Sequence, residues 1–236
     1  MSHDKTKKPR KEIRTTQHSL FGISTKQWIQ LLGRNGGIDT KYYSRGIFIT
    51  VTSLFNIPGR MLFRLRYGSA IKGTTIQHPP VFIIGHWRSG TTYLHNILSL
   101  DTRLGYFSTL HAALPDVFLG SEPLIHSLVA KSLPKKRPMD DVTMRPEFPQ
   151  EDEFAIAATC LYSANHGLCF PKNASYYNTF LFMDDVTQQI RDEWKEHYRY
   201  LIQKETFYHN GKRIVLKNPS NTARIPLLLE MFPQAK

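Results

Sequence analysis

Val81-Phe-Ile-Ile-Gly85-His-Trp-Arg88-Ser-Gly90-Thr-Thr92 is the stretch on which the reading of this chain turns. Its first four residues are apolar and mostly β-branched, the pattern of a short buried strand. Gly85 and Gly90 bracket a tight loop. Thr91 and Thr92 open a run in which Leu94, Ile97, Leu98 and Leu100 share a helical face, so the spacing predicts a helix over 91–100. Strand, glycine loop and helix N-terminus in this order form an anion site, because loop amides and the positive end of the helix dipole converge on one point. The spacing approaches the phosphate loop Gly-x-x-x-x-Gly-Lys-[Ser/Thr], but Thr91 stands where that motif has its lysine. The cation has moved into the loop as Arg88, whose guanidinium can fork onto phosphate or sulfate oxygens. The loop therefore suits a nucleotide whose terminal group is bound without the usual lysine and magnesium.

Working outward, Arg213-Ile-Val-Leu-Lys217 reads as a second core strand parallel to the first, followed by a helix over 221–232. Residues 24–33 are expected to form a helix capped by Ser24 or Thr25, residues 151–164 a helix with three acids in its first turn, and residues 175–209 one long helix ended by Asn210-Gly211. Residues 101–150 carry six prolines and read as irregular turns lying over the site. The β–α…α–β–α order predicts a parallel α/β core with ligand at the carboxyl ends of the strands.

The chain resembles the PAPS-dependent sulfotransferases of bacterial type. Arg88-Ser-Gly-Thr-Thr92 after a hydrophobic strand is similar to that family's loop for the 5′-phosphosulfate of 3′-phosphoadenosine 5′-phosphosulfate (PAPS). Pro79-Pro80, Arg137-Pro-Met-Asp140, Pro149-Gln-Glu-Asp-Glu-Phe154, His166-Gly-Leu-Cys-Phe-Pro171 and Lys217-Asn-Pro-Ser220 agree in order. The resemblance implies a P-loop-like parallel sheet flanked by helices. It also implies phosphate contacts from Ser89, Gly90, Thr91 and Thr92, and Arg88 and Lys217 at the bridging oxygen of the donor. Ser220 is either a cofactor contact or an N-cap. Related chains continue past a Phe-Pro-x-Ala-Lys step into a strand bearing an Arg, and later a Ser, for the 3′-phosphate. This sequence stops at Lys236, so the C-terminal part of the fold is expected to be missing, the chain being either a fragment or a truncated reading frame.

An acceptor hydroxyl needs a general base. Glu151 and Glu153 are the candidates, with Asp152 behind them, since consecutive helix residues point to different sides. His86 and His111 are further candidates by residue type, but a histidine more often packs or hydrogen-bonds. The bland alternative is a charge cluster at a helix start. No His/Cys spacing of a zinc site occurs, and no metal is expected. The expected function is sulfuryl transfer from PAPS to a hydroxyl or amine; the alternative is a non-catalytic nucleotide-binding remnant.

Charge divides the chain. Of the formal net +12, residues 1–75 supply 14 Lys/Arg against 3 Asp/Glu, whereas residues 76–236 are almost balanced. We expect a basic disordered tail (1–19), a basic and apolar helical region (20–75) and a partial sulfotransferase domain (76–236). Residues 46–63 are apolar but broken by Pro58-Gly59 and Arg60, too interrupted for an ordinary membrane span. They either pack on the domain or lie in a membrane interface. With two cysteines and a polar, basic first 20 residues, a cytoplasmic location is the expectation, and peripheral contact with the inner face of a membrane through residues 1–66 goes with it. Nucleic acid is disfavoured as a partner.

Overall fold

The computed structural model describes residues 20–136 and 142–236. The tail 1–19 and the Arg137-Pro-Met-Asp140 motif lie outside the described residues. In chain order the elements are α1 (Thr25–Arg34), α2 (Tyr43–Phe55), α3 (Ile57–Lys72), β1 (Val81–Ile83), α4 (Thr91–Leu98), β2 (Leu104–Tyr106) and α5 (Thr109–Ala113). There follow α6 (Glu122–Ser132), α7 (Asp152–Thr159), α8 (His166–Cys169), α9 (Ala174–Phe182), α10 (Gln188–Tyr208), β3 (Arg213–Lys217) and α11 (Ile225–Met231).

Among the described residues the sheet is parallel, in the order β1-β3-β2. Val81 pairs with Val215, Ile83 with Lys217, and Tyr106 with Val215 from the other side. β3 is thus the central strand, and Ile214 to Lys217 are all buried, as expected for a parallel strand covered on both faces. On the other edge of β1, the Lys236 amide donates to the Pro80 carbonyl (3.0 Å) and the Phe82 amide to the Lys236 carbonyl (2.8 Å). That is the slanted pattern of a parallel ladder, with Lys236 opposite Val81.

Several expectations change. β2 arises inside the stretch read as irregular. The single helix over 175–209 is two helices, broken where Met183 takes φ 63° and closes α9. The helix at 151 ends at Thr159, because Cys160 is extended. Ahead of α11, Pro219–Thr222 forms a 3-10 turn. The apolar stripe of α4 faces outward at Leu94, Ile97 and Leu100, while His95 faces in. Burial, with the nearby Lys217 charge, drives the His95 pKa down to about 3, so its ring is neutral. The break expected at Pro58-Gly59 lies two residues before Pro58: Asn56 ends α2 and starts α3, with Pro58 in the first turn, where a missing amide costs nothing.

α10 is the spine of the core. Trp194, Tyr198, Leu201 and Ile202 are fully buried, and the Trp194 and Tyr198 rings stack at 4.8 Å. Its last turns hold a second, polar centre. His111 on α5 places Nδ1 2.9 Å from Glu205 Oε2 and Nε2 3.2 Å from Glu122 Oε1. The ring stacks on Phe118 at 4.0 Å. His209 Nε2 lies 3.5 Å from Glu205 but is already engaged by the backbone of Tyr106. Burial opposes a charge on His111, yet the two carboxylates overrule it and push its pKa up to about 9. His111 is therefore an imidazolium tying α5 and α6 to α10.

A group whose pKa is raised on folding stabilises fully below its unfolded pKa and loses that contribution as pH rises through the folded value. Unfolding by urea at pH 6.5 and at pH 9 should show a loss on the order of 2–3 kcal/mol in the wild type, and a much flatter profile in His111→Gln. Equal profiles for the two proteins would place the ion pairs outside the folding balance.

Candidate functional site

β1 ends at Ile83 and the chain turns through Gly85 with φ 152°, Arg88 with φ 66° and Gly90 with φ 86°. A Cβ on Gly85 would stand 3.0 Å from both Ser89 Oγ and Thr91 Cγ2, so the cradle closes only around glycine. Ser89 Oγ donates to the His86 carbonyl at 2.6 Å, which winds the loop tightly. Thr222, from the turn after β3, accepts from the Gly85 amide at 2.8 Å and donates to the Gly85 carbonyl at 3.3 Å. The loop is thereby fastened to the end of the neighbouring strand. α4 begins at Thr91 with Gly90 as its N-cap, and the Leu94 amide is bonded to the Gly90 carbonyl. The amides one turn earlier point out of the helix end into the cradle, as helix geometry requires.

Lys217 closes β3 directly beside this loop. Its Nζ is 2.5 Å from Glu151 Oε1 and 3.3 Å from Thr92 Oγ1, and the side chain is 3% exposed. Arg88, Ser89 and Gly90 stay exposed on the loop, with Thr91 and Thr92 half-buried. The structure therefore brings the expected phosphate cradle, the strand-end cation and Glu151 to one place. A cleft lined by Thr92, Asn96, Met144, Phe148, Gln150 and Lys217 opens from it.

The three consecutive acids divide sharply. Glu151 is the N-cap residue of α7 and faces Lys217. Asp152 points into the core, accepting from Tyr198 at 2.6 Å and from Asn221 at 3.4 Å. Burial raises its pKa to about 6. Glu153, expected as an alternative base, is fully buried and salt-bridged to Arg224 at 2.7 Å. It also accepts from Asn218 at 2.8 Å and Ser163 at 2.7 Å. Burial alone would raise its pKa, but Arg224 and these donors hold it below the usual value. A carboxylate so enclosed cannot reach an acceptor proton, so Glu153 serves architecture. His111 is excluded from the site by its own ion pairs, and His86 points its Nδ1 at the Trp87 carbonyl, 3.0 Å away.

Ser220 is almost buried in the 3-10 turn, its amide bonded to Asn218 Oδ1 at 2.9 Å. Asn218 is thus the cap of this turn; Ser220, expected to be either a cofactor contact or an N-cap, is the residue whose amide is capped. Sequence reasoning missed Thr222, Asn218 and Arg224 as organisers of the site. The Lys217-Asn-Pro-Ser220 motif contained the only local cue, an Asx residue two before a Ser amide.

Comparison with known proteins gives the family to which the chain belongs. The family described as "Sulfotransferase family" matches residues 79–236. The omega-hydroxy-beta-dihydromenaquinone-9 sulfotransferase Stf3 of Mycobacterium bovis and that of Mycobacterium tuberculosis are each 32% identical over 219 residues, covering 91% of this chain. The match spans 55% of either relative, so the chain is about half the length of the curated relatives it matches. Among solved structures, sulfotransferase STF1 from Mycobacterium tuberculosis H37Rv superposes with a TM-score of 0.54 at 19% identity, over 92% of this chain and 67% of its own. STF9 from Mycobacterium avium does so at 0.57 and 16%, over 91% and 61%. These two likenesses carry the fold alone.

Proposed function

The chain belongs to the sulfotransferase family, and on that premise we propose that it moves a sulfuryl group from PAPS to a hydroxyl carried by a lipophilic acceptor. The observation that carries the reading is the meeting of Lys217, Glu151 and Thr92 at the mouth of the glycine loop. The donor supplies an activated sulfate on a phosphate leaving group. The cradle of Ser89, Gly90, Thr91 and Thr92 fits that phosphate: its glycine torsions leave room for an anion, and helix amides point into it. Arg88 and Lys217 stand where negative charge grows as the bridging oxygen departs, and cations fixed there lower the barrier. Glu151 is the base that takes the acceptor proton. Its contact with Lys217, which lines the cleft, holds the carboxylate beside that lysine.

The acceptor class comes from the Stf3 relatives, named for a hydroxylated menaquinone. The apolar side chains of Met144 and Phe148 beside Lys217 support an acceptor of that character. The proposal places the protein in the cytoplasm, peripheral to a membrane's inner face.

The test is calorimetric titration with 3′-phosphoadenosine 5′-phosphate, with ATP as control. Selective binding in the micromolar range, about −8 kcal/mol, is the expected result. A folded chain that takes neither nucleotide, or prefers ATP with magnesium, would overturn the reading for these 236 residues.

A further inference from the structure

We propose that the outer face of α2 and α3 is an interfacial anchor that lies on an anionic lipid bilayer. The inference stands on that face alone and does not depend on the chemistry of the nucleotide site.

α2 is inverted relative to a water-facing helix. It buries Gly46, Ile49 and Ser53 and exposes Ile47, Val51, Leu54 and Phe55, the last 83% exposed. The hydroxyls of Thr50, Thr52 and Ser53 are spent on carbonyls of their own helix. Exposed positions 47, 51, 54 and 55 recur at helical spacing, so they form one stripe. α3 continues it: Phe63 and Ile71 face inward, while Met61, Leu62 and Leu65 face out, Leu65 at 82%. Burying such a stripe is favourable in proportion to its area, and within this chain nothing described covers it.

Length alone would allow Thr40–Lys72 to cross a membrane, and only 22% of its most apolar stretch is buried. The inward face rules against crossing. Phe63 packs on Phe118, and Arg60 binds Asp116 at 3.1 Å and the Gly22 carbonyl. A helix glued along one side to a polar domain can offer lipid only its other side.

Charge selects the occupant. Thr40–Lys72 contains Lys41, Arg45, Arg60, Arg64, Arg66 and Lys72 and not one Asp or Glu. Arg60 is turned inward; the exposed Arg64 and Arg66 lie beside the apolar stripe, and exposed Tyr42 and Tyr43 stand at its start. Aromatic rings and long cations flanking an apolar face suit the headgroup layer, where the cations reach lipid phosphates. A second copy docking symmetrically through this face would set these cations against one another.

The full chain should sediment with vesicles of phosphatidylcholine containing phosphatidylglycerol, and far less with phosphatidylcholine alone or at high salt. Leu62→Glu with Leu65→Glu should weaken partitioning by at least about tenfold. The affinity of this double variant for 3′-phosphoadenosine 5′-phosphate should be unchanged, which separates the lipid face from the nucleotide site. Leu62→Cys carrying a polarity-sensitive fluorophore should shift to the blue on anionic vesicles, a readout that puts no charge on the face. Absent binding, binding indifferent to the paired Glu substitutions, or an unshifted probe would overturn the proposal. So would a dimer in vesicle-free buffer that the same substitutions dissociate, which would assign the stripe to a second copy.

Discussion

Replacing Lys217 by Met should lower the rate of sulfuryl transfer by about 10²–10³-fold while leaving affinity for 3′-phosphoadenosine 5′-phosphate within a few-fold. The asymmetry follows from where the ammonium sits. It ends the central strand, 3% exposed, between Thr92 and Glu151. On the proposed reading the loop and the helix end would hold the ground-state phosphate, so the lysine's charge would matter most when the bridging oxygen becomes anionic. Methionine fills the same volume, so β3 keeps its packing. Glu151, with 22% of its side chain exposed, can be hydrated when its partner is gone. Lys217→Arg should rescue little, because a planar fork does not fit a slot made for a compact ammonium. A rate within threefold of wild type in Lys217→Met would remove the lysine from the chemistry.

How much of this could be read from the sequence depended on range. The strand, loop and helix at 81–98 were legible because their cause is local: β-branched residues, then glycines where the backbone needs positive φ, then a helix start. Lys217 was legible as a strand end after Ile-Val-Leu. β2 was not, because Leu104-Gly-Tyr106 is too short for alternation and is made a strand by β3. Gly105 in it is a matter of space, since a Cβ would lie 2.6 Å from the His209 ring. The division of labour among Glu151, Asp152 and Glu153 was legible only as three different directions. Which direction met the site was fixed by Arg224 and Tyr198, dozens of residues away. Arg224 falls inside the helix expected over 221–232 with nothing local to mark it as buried, yet its exposure is 0%.

That burial leads to the largest expected loss of stability. Arg224 lies with its guanidinium 4.9 Å from the Trp194 ring, donates to Glu153 through Nη1 and Nη2 and to the Phe180 carbonyl through Nε and Nη2. It joins α7, α9 and the approach to α11 in one contact. Arg224→Met keeps much of the volume but leaves Glu153 as a buried carboxylate without its cation, a cost of about 3–5 kcal/mol. For a domain of this size that corresponds to a fall in Tm on the order of 10 °C. The penalty belongs to the orphaned charge rather than to a lost attraction, so a second change should return part of it. Glu153→Gln added to Arg224→Met removes the charge; Asn218 and Ser163 meet different carboxylate oxygens, so the amide oxygen keeps the bond from Asn218 while the new NH2 donates to Ser163 Oγ, whose hydroxyl can turn to accept. The double variant should be more stable than Arg224→Met alone by about 1–3 kcal/mol, a coupling that urea titration of the four proteins measures directly. Strict additivity would mean that Glu153 is already hydrated or protonated when Arg224 is absent. The same pair holds Asn218 over the Ser220 amide, and hence the turn that fastens Gly85 through Thr222. Arg224→Met should therefore also weaken nucleotide binding where the protein is still folded, whereas a purely local ion pair would leave that affinity untouched.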